Sequence, residues 1–315
     1  MSAEEGRKEG NDLKNGREKK GLKNLGGDVE KMKKKGKVTI GAILIVALLA
    51  SMAFMSSVSA QATSQNVSDI GAKEKEVMSQ VTETGNFSKN VEAAEKIRKE
   101  IEREMEKEIE TSVNNSFQKE LTRGSVVYLG IDATFYDADE GDKGTSTWGV
   151  CPRFYGSEYY LSANKDEAAT LVGPGGYGGA GAWAWVGKYF YVSGSGSQTA
   201  NIRMEGHMYG LTTAFAGGSS NSDIDLVVKD LDTGTKYTTN IYTQSASGVG
   251  WFEVDEDFNN GVAVNLQAGH DYIAYLEVQT SAAVYGAGEA GSDFGRQDGD
   301  FDGEGANYFH IKVDF

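Results

Sequence analysis

Cysteine is almost missing from this chain. Cys151 is the only one in 315 residues, so no intramolecular disulfide can staple the fold. Two roles stay open to that thiol, a small buried side chain or an intermolecular bridge. Histidine is nearly as scarce. His207, His270 and His310 lie far apart with no metal-ligand spacing, and neither a Gly-x-Ser-x-Gly nor a His-Glu-x-x-His run occurs, which removes the common hydrolase signatures. Basic charge is scarce where the chain is longest. The formal net charge of −15 divides into +5 for residues 1–37, −3 for 38–123 and −17 for 124–315. Phosphate backbones are bound by Lys and Arg, so the last segment repels nucleic acid, and no nucleic-acid partner is expected.

What is present begins with an address. Val38 to Ala60 carries no charged side chain and is long enough to span a bilayer; Lys31-Met-Lys-Lys-Lys-Gly-Lys37 precedes it, a cationic flank that stays in the cytoplasm. The rest of the chain is therefore expected outside, at the cell surface or secreted. Ser56-Ser-Val-Ser-Ala60 has the small residues of a cleavage site after Ala60, giving a removed signal peptide; an uncleaved helix would be a membrane anchor. Met32 offers an alternative start that would make residues 1–31 superfluous. The run from Lys35 to Ala50 also resembles the N-termini of archaeal pilin and archaellin precursors, although Lys37 after Gly36 departs from that pattern. This resemblance implies self-association into a surface filament.

Residues 61–88 read as a glycosylatable linker and 89–121 as a charged helical stalk. The sequons at Asn66, Asn86 and Asn114 all fall between 61 and 121. Lys89 to Leu121 lacks Pro and Gly and is rich in Glu, Lys, Arg and Ala, with opposite charges at i,i+3 and i,i+4. Its apolar positions recur every four residues after Ile97, a spacing that rotates about 40° per step and does not make a coiled-coil seam. This predicts a solvated spacer packed on the next domain through its C-terminal half, or an oligomerising helix.

From residue 122 the reading is a single β domain. The region beginning at Gly124 holds 31 of the 41 glycines. Period-2 alternation is clear from Asn201 to Gly210, and similar runs are 183–192, 223–228, 236–243, 250–254, 261–266, 272–280 and 308–315, with turns expected at 232–234, 259–261 and 268–270. Many short strands without intervening helices predict a mainly β fold, an antiparallel sandwich of jelly-roll type, behind the helix and the signal or transmembrane helix. The string Val262 to Ala282, followed by Ser292-Asp-Phe, resembles the closing strands of secreted prokaryotic jelly-roll modules. That resemblance implies surface adhesion or carbohydrate binding, with cell-surface glycans as partners.

Three clusters could carry chemistry. Asp298-Gly-Asp-Phe-Asp-Gly-Glu304 places Asp298, Asp300, Asp302 and Glu304 as oxygen ligands at alternate positions with Gly sixth from Asp298, resembling the first half of an EF-hand loop. The twelfth position is Phe309, not the bidentate Glu. Ca2+ is the expected cofactor, and an acidic hairpin is the alternative. Asp137 to Asp142 and Asp255 to Asp257 are weaker acidic groups. Glu253-Val-Asp-Glu-Asp257 resembles the carboxylate strand of laminarinase-type endoglucanases, but i and i+4 on a regular strand lie about 13 Å apart, too far for retaining hydrolysis. No catalytic residue is expected. Trp183, Trp185, Tyr189 and Tyr191 share one strand face and could stack on sugar rings; core packing is the competing role. Gly173 to Gly181 before them reads as a mobile loop.

Overall fold

The computed structural model describes residues 87–119, 125–295 and 305–315, with side chains of the helix through residue 116. The leader, Ala60, Asn66 and Asn86 lie outside the described residues, as do Asp298, Asp300, Asp302 and Glu304 of the calcium motif.

Among the described residues the chain is mainly β, with one α-helix, α1 (Phe87–Lys119), followed by eleven strands hydrogen-bonded into one sheet. The strands are β1 (Ser125–Tyr128), β2 (Ala133–Phe135), β3 (Glu140–Val150), β4 (Arg153–Tyr160), β5 (Lys165–Val172), β6 (Gly176–Ser193), β7 (Ser197–Asp230), β8 (Lys236–Gln267), β9 (Asp271–Gly286), β10 (Glu289–Phe294) and β11 (Gly305–Asp314). The order is β1-β6-β9-β7-β10-β5-β11-β2, with β3 on β6, β4 on β5 and β8 on β7. All pairings are antiparallel except β1 with β6.

β7 and β8 form one long hairpin with a corner in it. The ladder shifts between Phe215 and Ser219, where Ala216 (φ 46) and Gly217 (φ 98) are left-handed, and Gly248 (φ 72) answers them on β8. Extra residues on one strand bend the pair. Before the corner β7 pairs with β10 and β11; after it, with β9. Ala200, Ile202 and Met204 from the first half and Ile224, Leu226 and Val228 from the second join one core with Phe190, Tyr272, Leu276 and Phe294. Segments expected as separate short strands are thus parts of two long ones. The predicted turn at Asn259-Asn260-Gly261 is a correction: these residues pair with Glu205, Met204 and Arg203 inside β8, and Asn201 folds over Gly261. Tertiary pairing outweighs the local turn preference.

The helix is not a solvated stalk. Ala94, Ile97, Ile101, Met105, Ile109 and Val113 are all at most 2% exposed, so the helix lies on the sheet over most of its length, against Trp148, Trp183, Trp185, Val227, Ile273, Tyr275, Ala283 and Tyr285. The drifting stripe works because the covered surface is broad. Ala93, Arg98, Ser112 and Ser116 are buried beside the main row, which lets the contact line move around the helix as it crosses β7, β9, β6 and β3. Burying five large aliphatic side chains contributes on the order of 10 kcal/mol before entropy is charged against it. Of the expected ion pairs, Glu92–Lys96 (3.0 Å) is exposed and worth a few tenths of a kcal/mol, while Arg98–Glu102 is mostly buried.

The glycine run expected to be a loop is the seat for this helix. Gly176–Gly181 belongs to β6, and a Cβ at Gly179 would meet Ile101 Cδ1 and the Ala282 carbonyl, each at 2.6 Å; one at Gly181 would meet Met105 Sδ at 2.4 Å. Ile101→Ala is expected to lower unfolding stability by about 2–4 kcal/mol in a denaturant melt. A freely solvated spacer helix would lose almost nothing, and that outcome would refute the packing described.

Candidate binding face

Residues opposite one another in an antiparallel ladder project from the same face. Following the register from Trp251 gives Trp251–Thr213–Gly291–Leu171–Phe154, one cross-strand row over β8, β7, β10, β5 and β4. Gly291 sits in its middle and is buried: a Cβ there would meet Leu171 Cδ1 at 3.0 Å, the Thr170 carbonyl at 3.1 Å and Thr213 Oγ1 at 3.6 Å, so the neighbouring side chains close over it. Trp251 is 52% exposed and Phe154 46%, with Leu171 and Thr213 half-buried. Scattered exposed apolar residues are ordinary; two exposed aromatic rings at the ends of one cross-strand row make this face a candidate contact surface.

Below this row on β8, Glu253, Asp255 and Asp257 point to the same side and are exposed. Tyr209 donates its hydroxyl hydrogen bond to Glu253 Oε1 (3.3 Å). His207 lies between the last two carboxylates, Nδ1 2.9 Å from Asp257 Oδ1 and Nε2 3.3 Å from Asp255 Oδ1. The register from Val249 to Gln267 runs without a shift, so Glu253 and Asp257 keep the separation of a regular strand.

The expected sugar platform lies elsewhere and is covered. Trp183 is 3% exposed and Trp185 fully buried beneath α1. Trp183 Nε1 donates to Glu108 Oε2 (3.2 Å) and Trp185 Nε1 to Ser112 Oγ (3.0 Å), so each indole has found its partner on the helix. Burial pushes the Glu108 carboxyl upward, partly offset by this Trp183 bond. Tyr189 is half-buried with its hydroxyl 2.8 Å from Ser116 Oγ, and Tyr191 is half-buried near the end of β6. These four side chains do not form an open face because the helix occupies that side. Asn114, the described sequon residue, is helical; its Oδ1 accepts from Lys229 Nζ (2.7 Å), and Ser116 is buried.

The acidic groups read in sequence also have structural partners. Asp139 receives Lys188 Nζ (2.6 Å) and the Tyr189 N–H, and Asp142 receives Ser112 Oγ (2.6 Å). Asp230, Asp232 and His270 converge where the β7–β8 and β8–β9 turns meet. Asp230 accepts from the Asp232 and Thr233 N–H groups (3.0 Å each) and pairs with His270, while Asp232 accepts from the Asp271 N–H (2.7 Å). Burial works to raise the Asp230 carboxyl, but the His270 and Thr233 bonds outweigh it and hold the group below its ordinary value. These bonds lock two turns together, a structural role that accounts for the cluster. Cys151 is half-buried against a small alanine-rich cluster, and burial pushes its thiol up against the opposing charge of Arg153, which fits a packing role.

No protein-family model matches the chain, and no curated protein matches it. Among solved structures, the CBM22-1–GH10 modules of Clostridium thermocellum endo-1,4-β-D-xylanase 10B with xylohexaose align at 12% identity over 54% of this chain and 29% of that one (TM-score 0.15). Arthrobacter globiformis isomalto-dextranase with panose aligns at 14% identity over 55% and 23% (TM-score 0.12). The family 11 carbohydrate-binding module of Clostridium thermocellum, in complex with a β-1,3-1,4-mixed-linked tetrasaccharide, aligns at 10% identity over 50% and 92% (TM-score 0.15). The aligned region thus spans less than a third of the first two proteins. Overlap at these TM-scores carries no argument about ligand.

One buried acid lies on the inward side of β5. Asp166 is fully buried and its carboxylate has no side-chain hydrogen-bond donor among the described residues; its own N–H and the charge of Lys165 are the groups that favour ionisation. Burial, with the nearby charges of Glu277 and Glu167 adding to it, holds the carboxyl well above its ordinary 3.8. The fold then keeps a proton that the unfolded chain has lost, so this group makes stability fall as pH rises from about 4 through the folded value. Asp166→Asn is expected to raise the melting temperature at pH 7 and flatten that decline, measured by thermal melts between about pH 4 and pH 8. An unchanged slope would show that Asp166 is ionised in the fold.

Proposed function

We propose that this protein is a non-catalytic carbohydrate-binding module of jelly-roll-like sandwich architecture, displayed or released outside the cell for adhesion. The observation that carries the reading is the open row Trp251–Thr213–Gly291–Leu171–Phe154. Sugar rings present an apolar face and a hydroxyl rim. Planar side chains meet the first, and flanking carboxylates accept hydrogen bonds from the second. The cornered β7–β8 hairpin, whose two halves contribute to one core, supports the sandwich reading. Export rests on the uncharged run Val38 to Ala60 behind its basic flank, and calcium stabilisation on the spacing of Asp298 to Glu304. Removing calcium with EDTA should lower the melting temperature if that ion is bound only by the folded state.

Trp251→Ala is expected to abolish saturable binding to the oligosaccharides that the wild type retains in a glycan panel, with little change in melting temperature. Trp183→Ala is expected instead to destabilise the fold by about 3–5 kcal/mol, because it empties the helix–sheet interface. Glycan affinity that survives Trp251→Ala in a folded protein overturns the reading.

A further inference from the structure

We propose that the fold makes its own covalent staple, an amide bond between Lys229 Nζ and Asn114 Cγ that ties α1 to the end of β7. Lys229 lies on the helix-facing side of β7, two residues after Val227 and opposite Ile273 of β9, both fully buried. It is itself only 4% exposed. Its ammonium meets the neutral Asn114 Oδ1 at 2.7 Å, while Glu110 Oε1 lies 4.0 Å away on a side chain that is 70% exposed. A buried charge whose near partner is a neutral amide is costly. Burial pulls the Lys229 ammonium below its ordinary 10.5; Glu110 opposes this and Lys236 adds to it. The net effect raises the share of free amine, the nucleophilic form.

An amine fixed against an amide carbonyl has the high effective concentration of an intramolecular reactant. Nζ stands at the carbonyl oxygen, and Cγ is about 1.2 Å beyond it, so a small side-chain movement brings the two reacting atoms together. The Nζ lone pair attacks Cγ, the Nζ–Cγ bond forms and the Cγ–Nδ2 bond breaks. One Nζ proton passes to Nδ2, and ammonia leaves. Glu110 sits one turn before Asn114 on the same helix face, so its carboxyl can carry that proton and ends as it began. The two side chains together lose NH3, with no change of oxidation state. The product replaces a buried ammonium by a neutral amide and links positions 115 residues apart, a staple that the lone Cys151 cannot supply. It also consumes the Asn114 amide nitrogen, so the staple and a glycan at this sequon exclude each other.

The test is a tryptic digest of the purified full-length chain, read by mass spectrometry. Peptide 108–119 should appear joined to 204–236 as one branched species, one ammonia lighter than the two together, because trypsin does not cut after an acylated Lys229. Peptide mapping is needed because cyclisation of an N-terminal Gln61 would also release ammonia from the intact chain. Lys229→Arg keeps the cation and the donor but cannot form the bond, and Asn114→Ala removes the acceptor; both should lack the branched species. Lys229→Arg should also melt about 10 °C lower, as expected when a closed loop of this length is opened. Glu110→Gln should leave most of the chain unlinked. Separate peptides 108–119 and 204–229 from the folded wild type, or a glycan on Asn114, overturn the proposal. A wild-type yield of linked peptide in Glu110→Gln overturns the proton route.

Discussion

The burial of the sheet's helix-facing side against α1 is the constraint on which the rest of the structure depends. Trp148, Trp183, Trp185, Tyr275 and Tyr285 project from that side, and without the helix they would lie bare in water. Apolar contact alone is non-directional and would let the helix slide. Polar contacts fix its position: Trp185 Nε1 to Ser112, Ser112 to Asp142, Ser116 with Tyr189, Arg98 Nε to Ser219 (2.9 Å), and Ser281 to Glu102 (2.6 Å). The Trp185–Ser112 and Arg98–Ser219 bonds are buried, and a helix shifted by a turn would leave their groups unsatisfied at about 1–3 kcal/mol apiece, while the part-buried ones would lose less. The interface is therefore specified by its polar atoms and stabilised by its apolar ones.

The reverse side of the helix-covered strands is the main core, and the exposed row lies on β8, early β7, β10, β5 and β4, which the helix does not cover. The corner at Ala216–Gly218 lets one hairpin serve both regions, carrying Val227 under the helix and Tyr209 and Thr213 onto the open face. Aromatic residues divide accordingly. Indoles whose N–H finds a helix partner are buried at Trp183 and Trp185, whereas Trp251 and Phe154 stand at the two ends of a row with a glycine between them.

The division was only half legible in sequence. Alternation correctly puts Trp183 and Trp185 on one side of a strand, yet it says nothing about which layer covers that side. The helix was legible as a helix because Pro and Gly are missing from it. Its four-residue spacing argued against a coiled coil, but the docking surface is built by four strands from distant parts of the chain. Turn chemistry misled at Asn259-Asn260-Gly261, and glycine content misled at 176–181, where small size serves helix approach. The acidic run Glu253 to Asp257 was visible as such. Its partners in the open row were not, because Phe154, Leu171, Thr213 and Gly291 come together only through β4, β5, β7 and β10.

Non-local assembly also gives the face an arrangement that no single motif carries. A strand supplies side chains about 7 Å apart along its length, while neighbouring strands supply them about 5 Å apart across it. β8 thus provides a longitudinal file of charge, and the cross-strand row provides a transverse line of apolar contact that meets it at Trp251. The two directions intersect at one residue, so a ligand must satisfy stacking and charge at the same place to use both. If the face binds as proposed, its specificity would come from the crossing of two weak surfaces, neither of which would select a ligand alone.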